Sequence, residues 1–272
     1  MKPSAFEARR RAVAHAHADF VRGLVVWRLW LGLATQDIRI RYKRTFLGPL
    51  WITASMTATF VTMGMLFSAV YKTDVRVFLP YLASGMVVWS FISAVAIDGP
   101  QIFVDAQHLI HSLRIPLVVH VMRSVMRNGM IFLHNLVSAL ITFVVLGGSV
   151  TVDSLLLLAY LPVLVAIGFS GGLILAIVGS RFRDLGPVIG MVTQMMFFMT
   201  PIMWRPEDIP DGSKWWVTAN PAYHLVEIVR APLLGTAPAM ISVVVAVTSA
   251  VVLCLVAHGL FCLFRQRISY WL

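Results

Sequence analysis

Long apolar runs dominate the chain and alternate with short charged segments. The first run, Leu47–Tyr71, has 25 residues without a formal charge. As a helix it would extend roughly 37 Å at about 1.5 Å per residue, which is enough to cross a bilayer with some tilt. Six runs of this kind predict six transmembrane helices, at Leu47–Tyr71, Val77–Ile97, Gly129–Gly147, Leu155–Val178, Leu185–Trp204 and Ile241–Phe264.

A helical periodicity precedes the first run, in Phe20–Gln36. Its apolar residues fall on one arc of a helical wheel: Phe20, Leu24, Trp27, Trp30, Leu31 and Ala34. This pattern predicts an amphipathic helix in the membrane interface, with tryptophans at headgroup depth. A helix packed against the bundle is the alternative. The fold class is therefore an all-α integral membrane protein, with a cytoplasmic N-terminal segment over residues 1–46 and a six-span domain over residues 47–272.

The long loop between the fifth and sixth runs, Arg205–Met240, contains the half-apolar segment AYHLVEIVRAPLLG. Glu227 and Arg230 interrupt this segment, and charged side chains are costly in lipid. Backbone that is buried in protein or lines a cavity can enter the membrane without spanning it. The loop therefore predicts short re-entrant helices between spans five and six.

Charge fixes the predicted orientation. The chain is 59% hydrophobic and 12% charged, with 22 Lys and Arg and a net charge of +10. If both termini lie inside, 17 of the 22 cations fall on the cytoplasmic side, whereas the acidic residues divide evenly. This cation bias is what the positive-inside rule expects. The net charge therefore indicates membrane topology and anionic lipid, and we predict no nucleic-acid partner.

Several sequence features resemble catalytic or binding motifs without completing one. Gly212-Ser213-Lys214 lacks the glycine and spacing of a P-loop. His108 and His111 share a helical face, but no carboxylate or thiol set completes a metal site, so no metal or cofactor is predicted for this chain. Glu207, Asp208 and Asp211 form the only acidic cluster, on the outer side, which disfavours a membrane glycosyltransferase.

The segment GFSGG, Gly168–Gly172, satisfies GxSxG, and His258 lies in the sixth run. A serine and a histidine on two membrane helices are similar to the arrangement of rhomboid proteases. Ser170 would lie about 22 Å from the outer end of its span, beyond the middle of the bilayer. A rhomboid-like serine should be reachable from the outer side, so this depth argues against a protease. The same glycines form GxxxG, a close helix-packing motif, which is the favoured interpretation. Met191, Met195, Met199 and Met203 recur every four residues, and packing is favoured there over a pathway wall.

Four blocks of sequence resemble the permeases of polysaccharide-exporting ABC transporters, in the type-2 exporter class that includes O-antigen and teichoic acid exporters. The blocks are DIRIRYKRTFLGPLW at Asp37–Trp51, RIPLVVHVMRSVMRN at Arg114–Asn128, RFRDLGPVIGMVTQMMFFMTPIMW at Arg181–Trp204, and NPAYHLVEIVRAPLLG at Asn220–Gly235. They occur in the family's order. A drug- or lipid-exporting relative of the same permease class is the alternative.

The resemblance implies a multi-pass subunit of the bacterial inner membrane with both termini cytoplasmic. It implies a homodimer of permeases paired with two copies of a P-loop ATPase, which would bind the ATP and magnesium. The cargo would be a glycan on a polyprenyl diphosphate. The loop that docks on the ATPase would include Gln107, His108, His111, Arg114 and Pro116. The outer gate would include Trp215, Trp216, Asn220, Pro221, Glu227 and Arg230.

Two further sets of residues are assigned to the pathway as hypotheses. Arg39, Arg41, Lys43 and Arg44, here called the basic cluster, would meet the lipid-linked diphosphate at the cytoplasmic entrance, since cations neutralise phosphate charge. Ordinary positive-inside anchoring is the alternative. Aromatic rings can bind the apolar faces of sugars, so the predicted channel lining is Tyr81, Trp89, Phe91, Phe197, Phe198 and Trp204.

Overall fold

The computed structural model describes residues 5–46, 48, 50–113 and 115–272, with side chains described from Val13 onward. Among these residues the regular structure is helical, which confirms the all-α prediction. The helices are α1 Ala5–Val25, α2 Trp27–Arg41, α3 Leu50–Tyr71, α4 Val75–Asp98, α5 Ile102–Asp105, α6 Gln107–Ser112, α7 Leu117–Val145, α8 Leu156–Arg181, α9 Leu185–Met199, α10 Trp215–Thr218, α11 Pro221–Leu233 and α12 Met240–Trp271.

Among the described residues, five stretches are long and apolar enough to cross a membrane. They are Leu50–Tyr71, Val75–Asp105, Leu117–Val145, Val152–Arg181 and Met240–Trp271. The remaining predicted span, the fifth at Leu185–Trp204, corresponds to α9, which has only 15 residues. At about 1.5 Å per residue it is roughly 22 Å long, less than the ~30 Å of a bilayer's hydrocarbon core.

Prolines explain why two helix ends differ from the sequence-based boundaries. The fifth run was predicted to extend to Trp204, but α9 ends at Met199 because Thr200 is extended, with φ −93° and ψ 136°. A residue before proline avoids the helical region, and Pro201 follows. The third run was predicted to begin at Gly129. Instead α7 begins directly after Pro116, so much of the segment between the second and third predicted spans is helical.

The N-terminal segment forms two helices where the periodicity predicted one. The break lies at Val26, whose φ of −77° and ψ of 49° interrupt the helix. Ala34 is fully buried, and Phe20, Leu24 and Trp30 pack against the core of the bundle. Both helices lie against α7. Packing against the bundle, the alternative interpretation of this segment, is therefore what the fold shows.

The core lies between α4, α7, α8, α11 and α12. The rings of Phe91 and Phe132 pack 5.5 Å apart, centroid to centroid. On α8, a Cβ at Gly168 would lie 3.0 Å from Phe91 Cζ, and one at Gly172 would lie 3.5 Å from Val95 Cγ1. The GxxxG glycines therefore permit close helix packing, as predicted.

The methionine stripe does not pack inside the protomer as expected. Met191, Met195 and Met199 are each about half exposed on α9, and Met203 alone joins a small buried cluster around Ile202. No residue of α9 is buried. The reason is positional, because α9 lies on the outside of the bundle and touches it mainly through α4.

Candidate functional site

Successive long helices run in opposite directions, so the bundle has two ends. The C-termini of α2, α4, α8 and α12 meet at one end, together with α6 and the start of α7. This end is called the basic end. The opposite end holds the start of α4, the end of α9, and α10 and α11. Predicted site residues lie at both ends.

The basic cluster lies at the basic end, where α2 stops. Arg39 and Arg41 occupy the last turn of the helix, while Lys43 and Arg44 belong to the turn that follows it. All four residues are exposed. Arg44, three residues beyond the end of α2, has a φ of 72°, a left-handed conformation that residues other than glycine rarely adopt. The result is a compact exposed surface of positive charge.

Asp37 begins the same sequence block but points into the protein. Its carboxylate accepts two hydrogen bonds from Arg123 on α7, one of them from Nε at 2.7 Å. Arg127 Nη1 lies 3.6 Å from the same carboxylate. Bidentate pairing of this kind fixes both direction and distance. One turn of α2 therefore presents cations outward and anchors itself to α7 through the acid.

The pairing continues to α4. Arg127 Nη2 donates to Asp98 Oδ2 at 2.7 Å, and Asn128 Nδ2 donates to the same oxygen at 2.8 Å. Asp98 is the last residue of α4. We call Asp37, Arg123, Arg127 and Asp98 the charge ladder, because the four side chains connect α2, α7 and α4 in sequence.

A polar cavity of about 400 Å³ lies beside the charge ladder. Asp98, Arg123 and Arg127 line it, as do Asp105 from α5 and His120 from α7. His120 is only 2% exposed, and neither ring nitrogen has a hydrogen-bond partner among the described residues.

The residues predicted to dock on an ATPase lie close to the ladder. Gln107, His108 and His111 belong to α6, and both histidines are exposed. Gln107 Nε2 donates to the carbonyl of Leu272, which holds α6 against the end of α12. Pro116 caps α7, and Arg114 lies outside the described residues. The helix therefore presents a polar face at the basic end.

At the opposite end, Arg230 on α11 is 1% exposed. Its Nη2 donates to the carbonyl of Pro201 at 2.7 Å, and its guanidinium carbon lies 3.9 Å from the centroid of the Tyr81 ring on α4. Glu227 Oε2 lies 3.5 Å from Nη1. Tyr81 in turn donates to the carbonyls of Pro201 and Trp204, at 3.3 and 3.1 Å. We call Tyr81, Glu227 and Arg230 the Arg230 cluster.

The other residues predicted at the outer gate surround α10 and the start of α11. Asn220 is the N-cap of α11, accepting from Ala222 N at 3.0 Å and donating to Thr200 Oγ1 at 3.1 Å. Pro221 opens the helix and is exposed. Trp215 is exposed, whereas Trp216 packs on Trp204 with ring centroids 5.4 Å apart.

The residues predicted to line the channel fall into three places. Tyr81 and Trp204 meet at the end of α9. Trp89 packs against Phe197, with ring centroids 5.9 Å apart, and Phe198 follows on an exposed face of α9. Phe91 lies on another face of α4 and is buried in the main core. The structure therefore brings together Trp89 and Phe197, and Tyr81 and Trp204, but places Phe91 elsewhere.

Comparison with known proteins identifies the chain at the level of its family. The model of the ABC-2 type transporter family matches residues 28–234. The chain belongs to this family of membrane transporters. It is similar to the O-antigen export system permease protein RfbA of Klebsiella pneumoniae, with 26% identity over 203 residues covering 71% of this chain and 75% of the relative. It is also similar to the RfbA permease of Myxococcus xanthus, with 28% identity over 198 residues and the same coverage.

The matched region of this ABC-2 permease begins in α2 and ends just after α11. It therefore contains the basic cluster, the charge ladder and the Arg230 cluster. One interhelical ion pair lies outside it, between Asp19 on α1 and Arg265 on α12, with Nε and Oδ2 3.0 Å apart.

The serine motif of the permease is structural. Ser170 is fully buried, and its hydroxyl donates to the carbonyls of Ala166 and Ile167 in its own helix, at 2.7 and 3.2 Å. The ring of His258 packs against Phe20 and His17. Neither side chain is oriented as a nucleophile or a base would be.

Sequence reasoning missed the charge ladder, although a signal was present. Arg123 and Arg127 are spaced i, i+4 on a helix that is otherwise mostly apolar. Ionisable side chains on such a helix need partners, so the pair predicts acidic residues on neighbouring helices. Which acids supply them is a matter of tertiary structure, since Asp37 is 86 residues away from Arg123 in sequence.

Proposed function

We propose that this permease forms the membrane pathway of an ABC exporter that moves a lipid-linked polysaccharide across the bacterial inner membrane, driven by a separate ATPase subunit. The observation that carries the proposal is the similarity to O-antigen export permeases over 71% of the chain. The cargo is taken as a glycan on a polyprenyl diphosphate, with an O-antigen or a teichoic acid as examples. A drug- or lipid-exporting activity is the alternative.

We infer six membrane crossings, with α9 as the fifth. A Cβ on Gly186, near the start of α9, would lie 3.4 Å from Gln101 Nε2 at the basic end. The other end of α9 leads to Trp204, whose carbonyl accepts from Tyr81 at the opposite end. Along α4 and its extension, Tyr81 and Gln101 are separated by roughly 30 Å. The short helix and the turn after it together cover that distance, which supports α9 as a crossing, for six in all. With six crossings, both termini of the chain lie on the cytoplasmic side.

The pathway is proposed to lie between two copies of the permease. α9 has no buried residue, and α3 exposes most of its length. The exposed face of α9 includes Gln194 beside Met191 and Met195. A glutamine that faces hydrocarbon is unfavourable, whereas one that faces a second copy or a watery pathway is not. These two helices are therefore the best candidates for the surfaces that meet in a homodimer.

The ATPase is proposed to dock at the basic end against α6. This short helix is exposed on its polar face and packed on the other through Ile110, so it can transmit a push to the bundle. On the opposite side of the membrane, α10 and α11 are proposed as re-entrant helices that form the outer gate. Arg230 and Glu227 are compatible with that depth because protein groups surround them.

The basic cluster is proposed to receive the diphosphate at the cytoplasmic entrance. Triple substitution of Arg41, Lys43 and Arg44 by alanine should reduce export of glycan to the cell surface while leaving membrane insertion and ATPase pairing intact. Arg76→Ala, an exposed cation at the opposite end, is the control. If export by the triple variant equals that of the control, the cluster only orients the protein in the membrane.

The proposal as a whole is tested by isolating the tagged permease from its native host in a mild detergent and identifying what accompanies it by mass spectrometry. A stoichiometric P-loop ATPase is expected, and its yield should fall when His108 and His111 are replaced by glutamate. Deletion of the permease should also remove a glycan from the cell surface. A permease that purifies alone under several detergents would contradict the ATPase pairing, and an unchanged surface glycan would favour the drug- or lipid-exporting alternative.

A further inference from the structure

We propose that the charge ladder couples the basic cluster to α6, so that Asp37, Arg123, Arg127 and Asp98 are positioning residues for transport. The inference rests on the proposed function, because it assumes that α6 receives the ATPase and that the basic cluster meets the substrate.

At the first end, Asp37 fixes the part of α2 that presents the cations. Asp37 precedes Arg41 by four residues, one helical turn, and Arg39 by two. Because the Arg123 guanidinium binds both carboxylate oxygens of Asp37, α2 cannot rotate about its axis without breaking this pair. The direction in which Arg39 and Arg41 point is therefore set by α7.

At the other end, Asp98 stands directly before the segment that leads to α6. It is the last residue of α4, and a 3-10 turn at Gly99–Gln101 and the short helix α5 follow at once. The turn is tightly packed, since a Cβ at Gly99 would lie 2.7 Å from Leu175 Cβ on α8. A movement of α6 is therefore transmitted to Asp98 through a short and rigid connection.

The middle of the ladder can change partners. Arg127 pairs closely with Asp98, at 2.7 Å, and more loosely with Asp37, at 3.6 Å. Its Nε has no partner among the described residues, and the 400 Å³ polar cavity beside it provides space. A guanidinium placed between two carboxylates can move from one to the other without becoming unpaired, which would be costly for a half-buried charge. Such an element has two discrete arrangements, as a conformational relay requires.

The protein offers a matched control for a purely structural role. The Asp19–Arg265 pair also joins two helices, and its side chains are 13% and 33% exposed, against 14% and 29% for Asp37 and Arg123. Among the described residues it forms no ion pair with the ladder, although both side chains line a cavity with Ile110 and His111 of α6, so it is a control for a contact near α6 that bypasses the ladder. Loss of this pair should therefore cost a similar amount of stability without affecting a relay.

The test uses the complete permease–ATPase complex of the native host. For Asp98→Asn, Arg127→Gln and the control Asp19→Asn, three quantities are measured: the amount of assembled complex, its ATP hydrolysis in nanodiscs of host lipid, and export of the surface glycan by cells. The ladder variants are expected to assemble and to hydrolyse ATP within about twofold of wild type. Export per assembled complex should fall about fivefold or more, which is the size of effect expected when the coupling free energy between two sites is lost. Asp19→Asn should keep its export per complex.

A charge exchange provides a second, independent readout. Asp37→Arg and Arg123→Asp should each lower export, and the double variant should restore it in part, because the pair is re-formed with reversed sign. If the ladder variants lose export only in proportion to their loss of assembled complex, as is expected of the control, this inference is overturned and the proposed function is not. Absence of ATP-dependent export by the wild-type complex would overturn the proposed function and this inference with it.

Discussion

Gly85 on α4 occupies a position that Arg230 requires to be empty. A methyl group at this position would overlap with Nη2 of Arg230, and it would also lie 3.3 Å from Ile202 Cγ2. The end of an arginine side chain can usually move aside at little cost. Here it cannot, because the side chain is 1% exposed and Nη2 donates the 2.7 Å hydrogen bond to Pro201. Gly85→Ala must therefore break that bond or separate α4 from α11.

The size of the effect follows from these contacts. Loss of a hydrogen bond from a charged donor costs about 1.5–3 kcal/mol, and an overpacked core costs a similar amount, so the protein should adopt the cheaper of the two responses. Alanine is favoured over glycine inside a helix by about 0.5–1 kcal/mol, which offsets part of the loss. The free energy of unfolding should therefore fall by about 1–2 kcal/mol.

A double-mutant cycle with Arg230→Met measures the effect, using chemical unfolding in mixed detergent micelles. Once the guanidinium is absent, the methyl group at position 85 should cost almost nothing, so the two substitutions should be coupled by about 1 kcal/mol or more. Gly171→Ala on α8 is the matched control, since among the described residues no atom beyond its own stretch of helix lies within 4 Å of its Cβ position. The reasoning would be refuted if Gly85→Ala were as neutral as the control, or if its cost were the same with and without Arg230.

Three further substitutions test the contacts of the fold by the same unfolding assay. Gly179→Ala would place a methyl group against the backbone of Pro100, which cannot rotate away, so we expect a loss of about 2–3 kcal/mol; a neutral result would contradict the close packing of α8. Asn220→Ala removes the N-cap of α11 and the bond to Thr200, for an expected loss of about 1–2 kcal/mol that Asn220→Ser should partly restore. The pKa of the exposed Asp211 is lowered by its hydrogen bond and charge interaction with a neighbouring lysine. The pair therefore contributes to the free energy of unfolding at pH values above the ordinary carboxyl pKa, and this contribution is lost only as the pH falls through the lower pKa of the folded state. Because water screens the pair, the contribution is small, and Asp211→Asn should have the same free energy of unfolding as wild type from about pH 5 to pH 8.

The hydrophobic pattern alone was sufficient for the helical class and for the approximate positions of five long helices. The ends of α7 and α9 were wrong for a local reason that the sequence does contain, namely the prolines at 116 and 201. The apolar run continues past Pro201, so the composition gave no sign that α9 ends at Met199. After Pro116, Arg123 and Arg127 interrupt the apolar run, which placed the predicted start of the third span at Gly129.

Side-chain partners could be predicted only where they are local in sequence. Asn220 followed by a proline is a recognisable helix start, and the structure shows that cap. In contrast, the contact of Arg230 with Tyr81 depends on how α11 lies across α4. The methionines of α9 were interpreted as packing residues because the period-four pattern is the same for a buried face and an exposed one. Only the position of α9 outside the bundle distinguishes these cases.

The two charged sites differ in what holds the guanidinium, and this difference has a consequence for how the ends can move. At the basic end, Arg127 has two carboxylates within 4 Å and a polar cavity beside it, so a change of partner leaves its charge compensated. Arg230 is held mainly by a carbonyl and an aromatic face, with its one carboxylate at the longer distance of 3.5 Å. Withdrawal of the carbonyl would leave a buried charge poorly compensated, which is strongly destabilising. Movement at the basic end is therefore less costly than movement around Arg230, and we expect α11 to separate from α4 only when other polar groups, such as water or the hydroxyls of a sugar, replace the Pro201 carbonyl.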